Sequence, residues 1–311
     1  MSGTSLIGMV VERAGPLALV QDGGRQGVRH MGVTQGGAAD WISLGWANWL
    51  LGNPVGSAGL EIVLGGGLTL RVERQARLAL TGADLEATLD DTPLTPGTSF
   101  QVVPGQRLTF RQPVFGLRAY LAFPGGLHAP TVLDSASTVV REQLGGLHED
   151  GSPLKAGDGL AWRGGETPQR HLPRAPFTMP SPGVALSLVP GSQIGRFPGH
   201  SLFLAFNRTW QVDNRADRMG VRLLGPMLRS KQRSMVSEGI PLGAVQVPPD
   251  GQPIVLLNDR QTIGGYPRLG ALTPEACASL AQCLPGHEVR LRAITPSQAR
   301  ERHLRLLAAW Q

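Results

Sequence analysis

Residues 60–82 read LEIVLGGGLTLRVERQARLALTG, and this stretch decides the fold class. Its three short runs, LEIVL, LTLRVE and ARLALTG, are apolar or alternate apolar with polar residues, which is typical of β-strands. Glycines 65–67 lie between two of these runs and do not open a helix. They therefore predict a bulge or a hairpin and not a phosphate-binding loop.

The same pattern extends through the rest of the 311 residues. Further β-like runs are LALVQ, FQVV, RLTF and LRAYLAF in the first half, and VALSLV, VRLLG, PIVLL and EVRLRAI in the second. Glycine and proline, 42 and 25 residues, supply the turns, while charged residues make up 17% against the usual quarter or so. The sequence therefore predicts a mostly β protein in which each half forms a barrel or a sandwich.

A proline-rich stretch divides the two halves. Residues 171–183 contain four prolines and show almost no apolar periodicity, as an extended linker does. We therefore predict an N-terminal domain over residues 1–170 and a C-terminal domain over residues 184–311.

Three helices are predicted from capping residues. They run from Asp40 to about Leu51, from Thr273 to about Leu284, and from Thr295 towards the C-terminus. The first has apolar side chains around most of its circumference, so we expect it to be buried between layers. The last is amphipathic and is expected to dock on the C-terminal domain.

The charge and the cysteines exclude several classes of function. The net charge is +6, but arginines are spread along the chain and no recognisable nucleic-acid-binding motif accompanies them. Cys277 and Cys283 lie six residues apart, which fits neither a redox pair nor a zinc site, so we expect core cysteines and no metal. No apolar run of about 18 residues and no secretory leader are present, so we expect a cytoplasmic protein that binds neither nucleic acid nor membrane.

The motifs that are absent limit the chemistry further. No GxxxxGK[ST] occurs, and neither Lys155 nor Lys231 follows a glycine-rich loop, so the chain has no Walker-type ATP site of its own. Neither lysine lies between methionines, the usual setting of a biotinylated lysine. We therefore expect no covalently attached biotin, and a small molecule as the substrate.

Three polar groups among glycines are the candidate sites. Residues 20–40 contain Asp22, Arg25 and His30, for which a ligand site and a structural Asp22–Arg25 pair both remain open. Residues 214–225 contain Asp217 and Arg218, where a structural salt bridge is favoured. Residues 237–267 place a polar run after the apolar strand PIVLL, which favours a binding loop. The candidates there are Glu238, Gln246, Asp259, Arg260, Gln261, Thr262 and Tyr266.

These groups, in this order, resemble the family called the KipA type, allophanate hydrolase subunit 2, or the C subunit of the bacterial 5-oxoprolinase. The resemblance runs from about Val10 to about Ala299, through GPLALVQDGGRQGVRHMGV, LRAYLAFPGG, DRMGVRLLGP and VQVPPDGQPIVLLNDRQTIGGYP. It implies two β-barrel-like domains, at least the second cyclophilin-like. It also implies two partner subunits, one of the KipI type and one of the LamB/YcsF type, with ATP consumed by the complex as 5-oxoproline is opened to L-glutamate.

The resemblance also implies two alternatives. The chain is similar to part of the carboxyltransferase region of urea carboxylase, where carboxylated biotin would arrive on a partner. It also resembles a regulatory partner of a KipI-type histidine-kinase inhibitor, which would act without catalysis. Three positions depart from the family pattern, namely Gly36, Ala136 and Ala216. The second removes an arginine. If that arginine helps to bind a carboxylate, either Arg141 or Arg118 must replace it, or this member has a different substrate or reduced activity.

Under the oxoprolinase interpretation, each candidate residue has an expected role. Arg260, with Arg25 or Arg218, would clamp a carboxylate or phosphoryl group. Asp259 or Glu238 would orient water or those arginines, and His30 would carry a proton. The expected substrate-binding residues are Asp22, Arg25, Asp217, Arg218, Gln246, Gln261, Thr262 and Tyr266.

Overall fold

A computed structural model describes residues 7–172, 183–231 and 235–311. The chain divides into two compact units, one containing Met1–Gln26 with Gly36–Met179 and the other Gly27–Gln35 with Pro180–Gln311. Residues 27–35 thus belong to the second unit, although they come early in the sequence. Most of the predicted linker, residues 173–182, lies outside the described residues.

The first unit is built around two antiparallel sheets. One sheet has the order β11-β12-β1-β4-β9-β6-β7 and the other the order β2-β3-β10-β5-β8. The elements are β1 (Met9–Arg13), β2 (Leu17–Gln21), α1 (Trp41–Leu50), β3 (Gly59–Val63), β4 (Leu68–Val72), β5 (Ala76–Asp84), β6 (Thr88–Leu89), β7 (Thr92–Pro93), β8 (Thr98–Val102), β9 (Arg107–Phe110), β10 (Phe115–Ala122), β11 (Leu127–His128) and β12 (Gly159–Trp162).

Apolar residues from both sheets form one core. Leu60 and Ile62 of β3 meet Leu70 of β4 and Leu108 of β9 in this core, and all four are at most 1% exposed. The strands β3 and β4 belong to different sheets, so of the two alternatives predicted at glycines 65–67, a bulge or a hairpin, the hairpin is wrong. These glycines all have positive φ and carry the chain from one sheet to the other.

The helix α1 confirms the first helix prediction. Asp40 is its N-cap, and the Asp40 carboxylate accepts a hydrogen bond from Ser43 N at 3.0 Å. Gly52, with φ of 75°, follows the C-cap. Most residues of α1 are buried, as its apolar circumference predicted, because the helix packs on β5 and β10.

The second unit is a closed barrel with the strand order β13-β20-β17-β18-β15-β14-β21 and a separate ribbon, β16-β19. Its first and last strands, β13 and β21, run parallel, with Leu186 opposite Leu291. The elements are β13 (Val184–Pro190), α2 (Gly199–Asn207), β14 (Trp210–Val212), β15 (Gly220–Leu224), β16 (Glu238–Gly239), β17 (Ala244–Gln246), β18 (Ile254–Leu256), β19 (Ile263–Gly264), β20 (Arg268–Leu272), α3 (Pro274–Ala281), β21 (Glu288–Ala293) and α4 (Pro296–Ala308).

The other two predicted helices are confirmed, and one helix was missed. The Thr273 side chain caps α3, and Thr295 forms a capping box with Gln298 at the start of α4. The missed helix, α2, follows Pro198 and has no side-chain cap. Without that signal, a nine-residue helix is hard to recognise.

The described residues agree with a mostly β fold. Both cysteines are buried and unbridged, and no cluster of metal-ligating side chains occurs in the described part of the chain. None of the helices in the described ranges has the length and apolar character needed to cross a bilayer.

Candidate functional site

Asp22 holds a loop of the first unit in place. Following β2, its carboxylate accepts hydrogen bonds from Ser135 Oγ and Ala136 N, both at 2.7 Å, and from Ser137 Oγ at 2.5 Å. Ala136 donates through its backbone N–H, so this contact does not depend on the side chain at position 136. The Asp22 carboxylate therefore fixes the backbone of residues 135–137.

Arg25 fixes the same loop and is only 1% exposed. Its Nε donates to Val132 O at 3.1 Å, and its Nη2 donates to Ser137 O at 2.7 Å. At Gly36, a Cβ would lie 3.1 Å from Ser137 Cβ and 3.2 Å from Arg25 Nη1. This close packing leaves little room for a side chain at position 36.

A buried polar network in the first unit was missed from the sequence. Tyr120 and Glu61 are both 0% exposed, and the Tyr120 hydroxyl donates to Glu61 Oε2 at 2.8 Å. The same hydroxyl accepts from Asp40 N at 2.7 Å, and Arg118 Nε lies 3.6 Å from Glu61 Oε1. The pKa of Tyr120 is raised well above its usual value. Burial is the largest cause, and the negative charges of Glu61 and Asp40 raise the pKa further. The sequence feature that could have indicated this network is Glu61, a glutamate inside the apolar run LEIVL.

In the second unit, Arg218 and Asp259 form a buried ion pair. Arg218 Nε donates to Asp259 Oδ2 at 2.9 Å and Nη2 to Oδ1 at 3.0 Å, and both residues are at most 6% exposed. The salt bridge expected near residues 217–218 therefore reaches a residue 41 positions away. Asp217 instead accepts from Met219 N at 2.8 Å and Gly220 N at 3.0 Å, and so closes the turn before β15.

Arg260 and Arg29 converge on one carbonyl oxygen, that of Ile240. Arg260 Nε donates to Ile240 O at 3.1 Å, and Arg29 Nη2 donates to the same oxygen at 2.9 Å. Arg29 Nη2 also contacts the carbonyls of Gln261 and Thr262, at 3.0 and 3.1 Å. The pKa of Arg260 is lowered to about 10, mainly by burial and secondly by the positive charge of the neighbouring Arg29. The role of Arg29 was not recognised from the sequence.

Glu238 on β16 lies in a more exposed cluster. Its Oε2 accepts from Arg268 Nη2 at 2.6 Å and from Gln193 Nε2 at 2.8 Å. Gln193 also accepts from Arg268 N at 2.9 Å through its Oε1. Gln193 and Arg268, which were not among the sequence candidates, therefore hold the Glu238 carboxylate in position.

The remaining candidates of the second unit differ in burial. Gln246 ends β17 and is 2% exposed, and its Nε2 has no hydrogen-bond partner among the described residues. Gln261 and Thr262 contribute carbonyl oxygens, whereas Tyr266 is 43% exposed. His30 is exposed, with its Nδ1 2.8 Å from Gly27 O. The second unit therefore offers guanidinium and amide donors that suit an oxyanion.

The comparisons with known proteins establish the family. Residues 31–293 match the model described as carboxyltransferase domain, subdomain A and B, and the chain belongs to this family. It is 38% identical to the C subunit of 5-oxoprolinase from Escherichia coli, over 95% of this chain and 96% of that protein. It is 35% identical to the C subunit of 5-oxoprolinase from Haemophilus influenzae, over 91% of this chain and 90% of that protein. The family resemblance seen in the sequence is therefore confirmed.

A solved structure supports the fold. The K. lactis urea amidolyase matches 99% of this chain with a TM-score of 0.91 at 25% identity. The match covers 20% of that protein, so this chain corresponds to about a fifth of it.

Proposed function

We propose that this chain is the C subunit of an ATP-dependent 5-oxoprolinase that opens 5-oxoproline to L-glutamate. One observation carries the proposal: the match to the Escherichia coli protein extends over nearly the full length of both chains, 95% and 96%. By contrast, the match to a yeast urea amidolyase covers 17% of that protein. In this proposal two further subunits, one of the KipI type and one of the LamB/YcsF type, complete the enzyme in the cytoplasm.

The chemistry needs donors and cations around a charged centre. An unstrained lactam is opened slowly by water at neutral pH, so ATP would phosphorylate the amide oxygen and activate the ring carbon. Water would add to that carbon, and the C–N bond would break with the amine as the leaving group. A second water would release phosphate from the resulting acyl phosphate, so the products are L-glutamate, ADP and phosphate. ATP is a co-substrate of the complex, and since this sequence has no Walker motif, the partners would provide its site.

We assign the positive groups of the second unit to the anionic part of the substrate. Arg260 would bind a carboxylate or phosphoryl oxygen, while the bidentate pair with Asp259 fixes Arg218 beside it. Glu238 would orient a water molecule or the Arg268 side chain, and His30 would carry a proton. Gln246, Gln261, Thr262 and Tyr266 remain the proposed substrate-positioning residues, and Asp217 would act through the turn that it closes.

We assign Asp22 and Arg25 a positioning role in the first unit. Their contacts with residues 132–137 support this, because both side chains fix the loop that carries Ala136. A loop held in this way would present its backbone donors to a substrate.

The test is 5-oxoproline-dependent ATP hydrolysis by the complex reconstituted from all three proteins. We expect Arg260→Ala to lower kcat/KM by about 100-fold. Arg305→Ala is the matched control, because the Arg305 side chain is 76% exposed and its ion pair among the described residues is with Glu301 of the same helix. Full activity of the Arg260→Ala complex would contradict the role given to Arg260, and a wild-type complex without turnover would contradict the proposed reaction.

The fold match to urea amidolyase supports a second candidate, a biotin-dependent carboxyltransferase acting on a urea-like nitrogen. In this case a partner would deliver carboxybiotin as a substrate. Adding avidin to the complex separates the two candidates: it would abolish carboxyl transfer but leave oxoprolinase activity unchanged. Stable pairing with the KipI-type partner and no turnover of either substrate would instead support a regulatory role.

A further inference from the structure

We propose that Arg29, Arg260 and Gln246 form a carboxylate-recognition site in the second unit, and that this site selects 5-oxoproline over lactams without a carboxylate. The choice of ligand rests on the proposed function. The existence of an oxyanion site rests on the three side chains themselves.

Arg260 is a buried cation whose direct partners are neutral. It is 3% exposed, and its guanidinium donates to Ile240 O, Leu257 O and Gln35 Oε1 at 3.1, 3.2 and 3.3 Å. Within the described ranges no carboxylate forms a hydrogen bond with it. The adjacent Asp259 carboxylate is held bidentately by Arg218. Because arginines are rarely buried this fully unless they are paired with an anion, the site calls for a negative ligand.

Arg29 places a second positive charge beside the first. Its Nη2 shares the Ile240 carbonyl with Arg260 Nε, so two guanidinium groups meet at one neutral oxygen. Like charges at this separation repel, and burial strengthens the repulsion. An oxyanion bound next to both groups would offset this repulsion and accept charge-assisted hydrogen bonds from them.

Gln246 adds a donor in the same neighbourhood. Its buried Nε2 has no partner among the described residues, which is unfavourable unless a ligand supplies an acceptor. A Cβ built on Gly264 would lie 2.9 Å from this Nε2 and 3.0 Å from Ile240 Cδ1. The Gln246 amide and the Ile240 side chain therefore both border Gly264, where the absence of a side chain leaves room for them.

A carboxylate suits these donors better than a neutral amide. A planar guanidinium forms paired, charge-assisted hydrogen bonds with two oxygens, and an amide N–H can bind the same group. In the proposed reaction both 5-oxoproline and L-glutamate carry an α-carboxylate, so the site would hold the substrate by the part that does not react.

The experiment compares 5-oxoproline with 2-pyrrolidinone, which has the same lactam ring but no carboxylate. With the full complex, we expect Arg29→Gln to raise KM and lower kcat/KM for 5-oxoproline by about tenfold. Turnover of 2-pyrrolidinone should change little. Gln246→Leu should act in the same direction, Arg29→Lys should restore part of the loss, and Arg305→Gln is the exposed control. Equal losses on both lactams, or an unchanged preference, would overturn the proposal.

A binding measurement keeps the site testable if the wild-type complex proves inactive. Thermal unfolding of the full chain is followed with 5-oxoproline, L-glutamate or inorganic phosphate. Stabilisation of wild type by either carboxylate, lost in Arg29→Gln and partly kept in Arg29→Lys, supports the site whatever the reaction. If neither carboxylate stabilises wild type, or phosphate alone does, carboxylate recognition is wrong.

Discussion

The hydroxyl of Tyr120 lies 2.8 Å from Glu61 Oε2 in the interior of the first unit, where both residues are fully buried. The same hydroxyl accepts a hydrogen bond from Asp40 N just before helix α1. One phenol therefore connects two strands of a sheet to the start of the helix that packs on it.

Tyr120→Phe should destabilise the protein. The change leaves Asp40 N and one lone pair of Glu61 without their partner, at a cost of about 1–3 kcal/mol for each buried group left unpaired. Urea unfolding measures the loss of free energy. Tyr266→Phe is the matched control, because Tyr266 is 43% exposed, and it should leave stability unchanged. Equal stability of the two variants would contradict the network.

Tyr120 should resist ionisation in the folded protein. Burial and two nearby carboxylates disfavour the phenolate, so the pKa of Tyr120 is raised above its usual value of about 10. The neutral form is the stabilising one, so this contribution is complete below the unfolded pKa and is lost as the pH rises through the folded pKa. The Tyr266→Phe variant leaves Tyr120 as the sole tyrosine. Its ultraviolet titration should report a pKa above 10, coupled to alkaline unfolding.

The Arg218–Asp259 pair should show strong coupling. Removing one partner leaves a buried charge and should cost about 3–5 kcal/mol, whereas Arg218→Met with Asp259→Leu should cost much less than the sum of the single changes. Chemical unfolding of the two single variants and the double variant gives the coupling energy. The exposed pair Arg305–Glu301 on α4 is the control and should couple by about 0.3–0.5 kcal/mol. Additive losses at Arg218 and Asp259 would show that the pair is not formed.

The two cysteines should be unreactive in the native protein. Burial raises the pKa of Cys277 to about 12, and Cys283 is 2% exposed. At pH 8 a thiol reagent should therefore label neither cysteine until denaturant is added, when both should react. Counting labelled thiols by mass before and after denaturation checks this, and rapid native labelling of Cys277 would contradict it.

Local signals predicted much of the fold. Asp40, Thr273 and Thr295 are side-chain caps that act within three residues of their own position, and all three helices were located from them. Alternating apolar residues gave the mostly β class. Helix α2 has no comparable cap, and pairing between strands cannot be read from glycines alone, so α2 and the course of the chain at glycines 65–67 were missed.

The candidate site was harder to predict because its contacts are distant in sequence. Asp259 and Arg260 were chosen for their position after an apolar strand. However, Arg218 lies 41 residues from Asp259, and Arg29 lies 211 residues from Ile240. Which arginine reaches which oxygen depends on the tertiary fold. The buried Glu61 lies within a strand, where the sequence pattern alone does not distinguish a buried carboxylate from a solvated one.

The assignment of residues 27–35 to the second unit has a consequence for how the protein can be made and divided. The ribosome produces Arg29 and Gln35 about 150 residues before the barrel strands begin, so the barrel cannot complete its contacts until synthesis is nearly finished. A gene fragment that starts at residue 184 would encode every barrel strand, yet its Arg260 would lack Gln35 and the adjoining Arg29. Separate expression of the two halves would therefore require the early segment to be grafted onto the later one.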